Sequence, residues 1–352
     1  MLPSSLNIWF NRAYATSYWL IKMLKENPDD TPVKVFATHV DLQSPVLQAA
    51  DVIELEPTLI GEEYINWALE FCKKYNINVF IPREQALLIS KNVSKFEEIG
   101  VKVLVNPSAT IELFENKELA YLSLAESGLP VPPWSVARGS EDFIFQYEAM
   151  RKFLDKDTRI IVKPTVGVGA SGFRIINDNS YTMEELLVRP KDDISLNKII
   201  EALQNEEKSG RTPPAFMVMP FLADPEVSVD TLSTGDGKLI LNIPRTKDTN
   251  RMKAFSNRFP QATEVVSKIV EMYGLTYLTN TQLRWWNDSL VILETNTRAS
   301  GGLYSSTITG VNIMWMAIKT LFNEPVDVSK VQLDKTYTST SISIEITQKS
   351  LV

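Results

Sequence analysis

Residues 159–176 read RIIVKPTVGVGASGFRII, and the order of residue types in this stretch decides the fold. Gly167, Gly169 and Gly172 spell Gly-x-Gly-x-x-Gly, but Phe-Arg-Ile-Ile follows, a run of β-formers where a dinucleotide site requires a helix. The glycines therefore predict a flap between two antiparallel strands. Such a flap lets backbone N–H groups close over phosphate oxygens, and the small Ala170 and Ser171 keep it compact. Lys163, on the strand before it, offers a mobile point charge to an α or β phosphate. A glycine hairpin with a surface lysine is the plainer reading of the same residues.

Upstream, the runs LNIWF, VKVFAT, DVIELE, INVFI and VKVLV alternate with amphipathic stretches such as YATSYWLIKMLKE and EEYINWALEFCKKYN. That alternation predicts parallel βαβ units. The segment after the first strand, NRAYAT, holds no glycine, so the layer is Rossmann-like without the dinucleotide fingerprint. From Asn106, NPSATIELFENKELAYLSLAESGLPVPPW predicts a helix pair opened by Pro107 and closed at Gly128. Beyond it, RIIVKP, FRIIN, AFMVMPFL, EVSVDTLS and KLILNIPR predict antiparallel strands, with helices over YTMEELLV and SLNKIIEALQNEEK. The polar, proline-flanked stretch 189–214 is expected to be a surface excursion, and TYTSTSISIEIT a closing edge strand. The expected class is α/β followed by α+β, with domains at 1–110, 111–225 and 226–352.

Composition narrows the chemistry. The chain has 352 residues, 44% hydrophobic and 22% charged, with a net charge of -7. A negative balance argues against a general nucleic-acid or anionic-membrane surface. One His and one Cys, His39 and Cys72, leave neither a zinc site nor a Ser-His-Asp or Cys-His arrangement. The same single Cys permits no internal disulfide, MLPSSLNIWFNRAYATSYWL shows no cationic start followed by an uninterrupted apolar run, and no run of about 18 apolar residues exists. A cytoplasmic protein without a membrane span is expected.

The second informative stretch is 279–302, TNTQLRWWNDSLVILETNTRASGG. Alternation along VILETN puts Glu294 and Asn296 on one face of a strand, with Gln282 on an earlier strand paired back through WNDS. One carboxylate and two amide oxygens make an all-oxygen set suited to Mg²⁺, completed by phosphate oxygens and water. Arg298 follows on the same face, placed for a phosphate or carboxylate. A solvated strand face with an ordinary Glu and Arg is the alternative. A protein kinase fails because Lys163 precedes the glycine loop and no His-Arg-Asp or Asp-Phe-Gly occurs, and a P-loop fails for want of its Gly-Lys-Ser/Thr.

Together the two stretches resemble the ATP-grasp family, with carbamoyl-phosphate-synthetase-like and amino-acid-ligase-like members nearest, over about residues 5–322. The resemblance implies a Rossmann-like pre-ATP-grasp domain and two α+β subdomains clamping ATP. It assigns Lys117, Lys163, Gly167, Gly169, Ser171, Gly172, Phe221, Leu222 and Glu226 to the nucleotide, and Gln282, Glu294 and Asn296 to Mg²⁺, for which Mn²⁺ can substitute. It places Arg298, Arg245 and Lys163 at the chemistry, and Arg298, Ser300, Gly301, Gly302 and Arg251 at the substrate. The implied reaction is attack of a carboxylate on the γ-phosphate of ATP, then displacement of phosphate by an amine or amino-acid-like acceptor. Its partners would be small-molecule carboxylates and amines, and a homodimer is compatible with it. Two departures stand out: Pro220 occupies a hinge position that commonly carries Glu, and Gln282 is an amide where the first metal ligand is usually a carboxylate. Both also suit an ATP-binding regulatory module with little turnover.

Overall fold

The computed structural model describes residues 1–167, 171–177, 192–247, 253–340 and 342–346. The N-terminal layer is a parallel sheet of β1 (Leu6–Asn11), β2 (Val33–His39), β3 (Val52–Leu55), β4 (Val79–Pro82) and β5 (Lys102–Val103), in the order β3-β2-β1-β4-β5. Helices α1 (Ser17–Lys25), α2 (Gly61–Lys74), α3 (Ala86–Ser90) and α4 (Val93–Glu98) connect or flank the strands. Burial on both faces explains the near-continuous apolar strands. Along β1, Leu6, Ile8 and Phe10 enter one core, while Trp9 enters the other and stacks on Phe80 at 3.9 Å between ring centroids.

Next come α5 (Ser108–Glu115), α6 (Lys117–Glu126), β6 (Ser135–Ala137), α7 (Ser140–Phe153), β7 (Ile160–Pro164), β8 (Arg174–Ile176), β9 (Asp193–Ile194), α8 (Leu196–Lys208) and β10 (Phe216–Pro220). The strands form a sheet in the order β6-β10-β7-β8-β9. β7 and β8 are antiparallel, as the residues after the glycine loop predict. Ile160 and Val162 face one core with Phe143 and Ile199, and Ile161 faces the other with Tyr121 and Met217. The supposed excursion is part of the fold: Ile199 and Leu203, four residues apart on α8, are buried in the first of these cores, because that spacing makes one helical face apolar. Residues 189–191 and the helix expected over YTMEELLV lie outside the described residues.

The remaining strands are β11 (Ala223–Ser233), β12 (Leu239–Lys247), β13 (Lys253–Phe255), β14 (Tyr277–Trp286), β15 (Ser289–Asn296) and β16 (Lys335–Tyr337), with helices α9 (Pro260–Tyr273) and α10 (Ile313–Leu321). The sheet runs β15-β14-β11-β12-β13-β16. The expected edge strand thus forms over only Lys335–Tyr337, and the described residues after it carry no strand.

The chain clusters into two compact units, not three consecutive segments: Met1–Glu112 with Pro225–Gln282 and Thr295–Val352, and Leu113–Asp224 with Leu283–Glu294. A shared core joins the first and last parts. Ile8, Phe10 and Val79 pack in one cluster with Leu232, Phe255, Leu278 and the buried face of α10. Asn106, only 2% exposed, adds a polar tie within this unit. Its Nδ2 donates to the carbonyls of Thr276 and Thr297, both at 2.9 Å, and its Oδ1 accepts the Thr276 N–H at 2.7 Å. Asn106→Ala leaves those buried backbone groups unsatisfied and is expected to lower unfolding free energy by about 2–4 kcal/mol. Urea titration measures it, and a loss within about 0.5 kcal/mol, the range of ordinary surface changes, would contradict the tie.

Candidate functional site

In the second unit, two lysines converge beside the glycine flap. Lys117 opens α6, whose N-terminus is capped by the Asn116 side chain accepting from the N–H groups of Glu118 and Leu119. The Lys117 N–H donates to Thr165 O at 2.8 Å, and its Nζ donates to Gly167 O at 2.7 Å. Lys163 is 7% exposed. Its Nζ reaches Leu293 O at 3.3 Å and lies 5.3 Å from the centre of the Tyr121 ring, whose hydroxyl donates toward the same carbonyl at 2.8 Å. Among the described residues neither lysine is ion-paired.

That arrangement is electrostatically unbalanced. Burial pushes the Lys163 ammonium down to about 8, with Glu294 opposing the shift and Lys117 adding to it. Burial also lowers Lys117, again opposed by Glu294. A group carrying negative charge placed beside the two ammoniums would oppose both shifts. In the flap, Gly172 has φ +74, and a Cβ there would stand 2.6 Å from the Pro164 ring, so glycine is required on both counts. Ser171 is exposed, whereas Gly169 falls outside the described residues.

The hinge between β10 and β11 is fixed from two sides. Arg159 lies 4.0 Å from the Phe221 ring centre, and its carbonyl accepts the Phe221 N–H at 2.8 Å, so that N–H already has a partner within the fold. Arg284 reaches Leu222 O at 3.3 Å and Asp224 at 3.0 Å. Leu222 itself is buried. Pro220 stays in register opposite Ile160, so its missing N–H leaves the strand intact.

Of the other site residues, Gln282, Asn296 and Arg298 belong to the first unit and Glu294 to the second. Asn287 and Asp288, with φ 44 and 59, make the turn between β14 and β15. Thr281 and Thr295 hydrogen-bond at 3.1 Å on one face, so the flanking Gln282 and Asn296 belong to the opposite face by strand alternation. Glu294 shares that side of β15 with Asn296, and both are half-buried. No group of three or more His, Cys, Asp or Glu that could hold a metal occurs among the described residues. The oxygen donors of Gln282, Glu294 and Asn296 suit Mg²⁺ in kind, with one carboxylate among them.

Arg245 departs from the expectation of a reactive cation. It is 4% exposed, its Nε donates to Asp230 at 3.0 Å, and its Nη2 donates to Ser300 Oγ at 3.2 Å. Ser300 Oγ in turn donates to Asp230 at 2.7 Å, and Asn280 Nδ2 donates to the same carboxylate at 2.8 Å. A Cβ on Gly302 would meet the guanidinium at 2.8 Å, so glycine permits this approach. The guanidinium is thus committed to holding the 300–302 loop. Asp230 and Asn280 escaped the sequence reading; the polar residues at every second position in EVSVDTLS, Glu226, Ser228 and Asp230, were the available signal. Glu226 is ion-paired with Lys247 across the β11–β12 register. Arg298 is half-buried, 5.8 Å from the Tyr14 ring centre, and Arg251 lies outside the described residues.

Comparison with known proteins matches this geometry to a fold. Residues 212–343 match the family model described as ATP-grasp in the biosynthetic pathway with Ter operon, and residues 14–104 match the PylC-like N-terminal domain. The carbamoyl phosphate synthase large chain of Sulfurisphaera tokodaii is 23% identical over 244 residues, covering 67% of this chain and 21% of that one. That of Bifidobacterium longum is 24% identical over 259 residues, covering 66% and 21%. The chain therefore spans about a fifth of the length of these curated relatives. Among solved structures, the biotin carboxylase domain of Hydrogenobacter thermophilus 2-oxoglutarate carboxylase, with MgADP, ADP and bicarbonate, superposes with a TM-score of 0.65 at 16% identity, over 94% of this chain and 73% of that one. The Staphylococcus aureus N5-carboxyaminoimidazole synthetase complexed with ADP gives 0.66 at 13%, over 93% and 79%. The resemblance read from the sequence holds: the chain carries an ATP-grasp fold behind a PylC-like N-terminal domain. No described helix is long and apolar enough to cross a membrane.

The depressed Lys163 pKa has a sign that can be checked. Between about 8 and its ordinary 10.5 the empty folded protein binds fewer protons than the unfolded chain, so this lysine opposes folding at neutral pH and does so less as pH rises through that window. A bound polyphosphate favours the charged form and reverses the shift. ADP titration in Mg²⁺-free buffer at pH 8.5 is therefore expected to take up protons, seen as a binding enthalpy that varies with buffer ionisation. The uptake should vanish in Lys163→Ala, and uptake of equal size in that variant would remove Lys163 as its source.

Proposed function

We propose that the chain is an ADP-forming carboxylate ligase that joins a carboxylate to an amine or amino-acid-like acceptor, with ATP and Mg²⁺ as its cofactors. The observation that carries this reading is the buried Lys163 ammonium, unpaired among the described residues, beside Lys117 and the glycine flap. The fold supports it, since the similar structures include complexes with ADP and MgADP. Phosphoryl transfer needs charge neutralisation and in-line positioning rather than a protein nucleophile, which suits a chain with one His and one buried Cys.

The chemistry balances in two steps. A carboxylate oxygen attacks the γ-phosphorus and the bond to the β-phosphate oxygen breaks, giving an acyl phosphate and ADP. The acceptor amine then attacks the acyl carbon, and inorganic phosphate leaves as the nitrogen loses a proton. Lys117 and Lys163 hold the phosphates, and the flap N–H groups exclude water from them. Gln282, Glu294 and Asn296 would hold Mg²⁺, which neutralises phosphate charge when bound. Arg298 faces the developing charge on the transferring group, and Arg245 with Asp230 aligns Ser300–Gly302 beside it.

These duties separate under mutation. Screening carboxylate and amine pools for ADP release identifies active pairs. With such a pair, Glu294→Ala and Arg298→Ala are each expected to lower turnover by about 10² or more, the scale for one transition-state charge donor. Arg298→Ala should keep ADP affinity within several-fold, while Lys163→Ala weakens it even without an acceptor. Equal loss of ADP affinity in both arginine and lysine variants would make Arg298 a nucleotide contact. ADP binding without release from any pair would favour a regulatory module.

A further inference from the structure

Arg83 stands directly after β4 and is 6% exposed. The side chain of Asn11, at the end of β1, fixes its backbone: Oδ1 accepts the Arg83 N–H at 2.7 Å, and Nδ2 donates to Glu84 O at 3.0 Å. The guanidinium has little to hold. One Nη reaches Ala299 O at 3.3 Å, and Nε has no hydrogen-bond partner. The charge that acts on Arg83 most strongly is another cation, Arg298, whose guanidinium lies over Tyr14 at 5.8 Å. Among the described residues neither arginine is ion-paired. Burial and Arg298 together push Arg83 down to about 9, which leaves it charged at neutral pH.

Placement adds a second, independent observation. The sheet order turns at β1, with β2 and β3 on one side and β4 and β5 on the other. In open parallel sheets, ligands bind outside the carboxyl ends of the strands at this switch point. Three loops of the first unit meet there: the one after β1 with Tyr14 and Thr16, the one after β4 with Arg83, and the one after β15 with Arg298 and Ala299. A Cβ on Gly301 would stand 3.2 Å from Thr16 Oγ1, so glycine allows the first and third loops to close on each other. By contrast, the cleft of about 480 Å³ beside Trp315 has its Asp29 already bound by the Trp315 indole at 2.8 Å and by Lys319 at 3.3 Å.

We propose that Arg83 and Arg298 form an oxyanion subsite at the β1/β4 switch point, which grips a carboxylate or phosphate group of the small-molecule substrate and selects substrates that carry one. Two guanidiniums offer the forked donors that match such groups, and one oxyanion between them offsets their mutual repulsion. That the oxyanion belongs to a substrate rests on the ligase reading; the subsite itself does not. Tyr14, 42% exposed, stands beside Arg298 as its outer wall.

The test is calorimetric titration of the nucleotide-free full chain, in low-chloride buffer, with inorganic phosphate, malonate and acetate. Wild type is expected to bind phosphate or malonate saturably, and the stronger of the two tells a phosphate from a carboxylate group. Arg83→Met is expected to weaken that binding by about 10- to 100-fold, the scale of a lost charge-assisted hydrogen bond, while leaving ADP affinity within about twofold. If Arg83→Met does not fold, Arg83→Lys keeps the charge without the fork and should weaken binding several-fold. No saturable anion binding by wild type, or unchanged binding in a folded Arg83 variant, overturns the subsite. Failure of wild type to bind ADP would instead overturn the ligase reading and leave the subsite standing.

Discussion

Lys163 keeps 7% of its surface exposed and meets there a carbonyl oxygen and an aromatic face rather than a paired carboxylate. Removing an ammonium from water without an ion-pair partner costs on the order of several kcal/mol, so the fold holds this strand at a disadvantage unless an anion binds. The rest of the second unit is arranged around that cost. Strand alternation on β7 turns Ile160 and Val162 into one core and leaves Lys163 on the side of Tyr121, one strand residue before Pro164 and the start of the glycine loop. Lys117 enters through the capped start of α6 and binds the flap carbonyl of Gly167. A ligand rich in negative oxygen would resolve the imbalance, which is the ground on which the site is proposed to take a nucleotide.

The first unit handles charge in two opposite ways. Arg245 is buried but matched, with Asp230, Ser300 and Asn280 sharing one hydrogen-bond network. A matched pair of this kind contributes little net stability and much alignment, and here it holds the loop that carries Arg298. Among the described residues Arg83 and Arg298 have no such ion pair. The contrast between a paired and an unpaired guanidinium in one unit separates a positioning group from a binding group without reference to any relative.

Legibility in the sequence followed locality. The parallel layer was plain from the alternation of LNIWF and VKVFAT with amphipathic helices, and the flap from β-formers after Gly172. Both signals sit within a few residues, where period and turn chemistry act. The unit division was not plain, because the packing of α10 and Phe255 against β1 and β4 joins residues some 300 positions apart, and no local pattern reports it. The helix over residues 196–208 was legible, but its charges hid the buried face that Ile199 and Leu203 make, so it was placed on a surface excursion. The resemblance placed Arg245 at the chemistry because its partner Asp230 lies on another strand, and Arg83 drew no notice because a lone arginine after VFIP becomes informative only when burial without a counter-ion among the described residues is seen.

If a substrate carboxylate oxygen attacks the γ-phosphate, that oxygen leaves with the phosphate. Supplying ¹⁸O-labelled carboxylate with an active acceptor and following released phosphate by ³¹P NMR reads this out. One ¹⁸O is expected in inorganic phosphate per turnover, seen as the isotope-shifted resonance. Phosphate carrying only unlabelled oxygen, with ADP formed at the same rate, would contradict it.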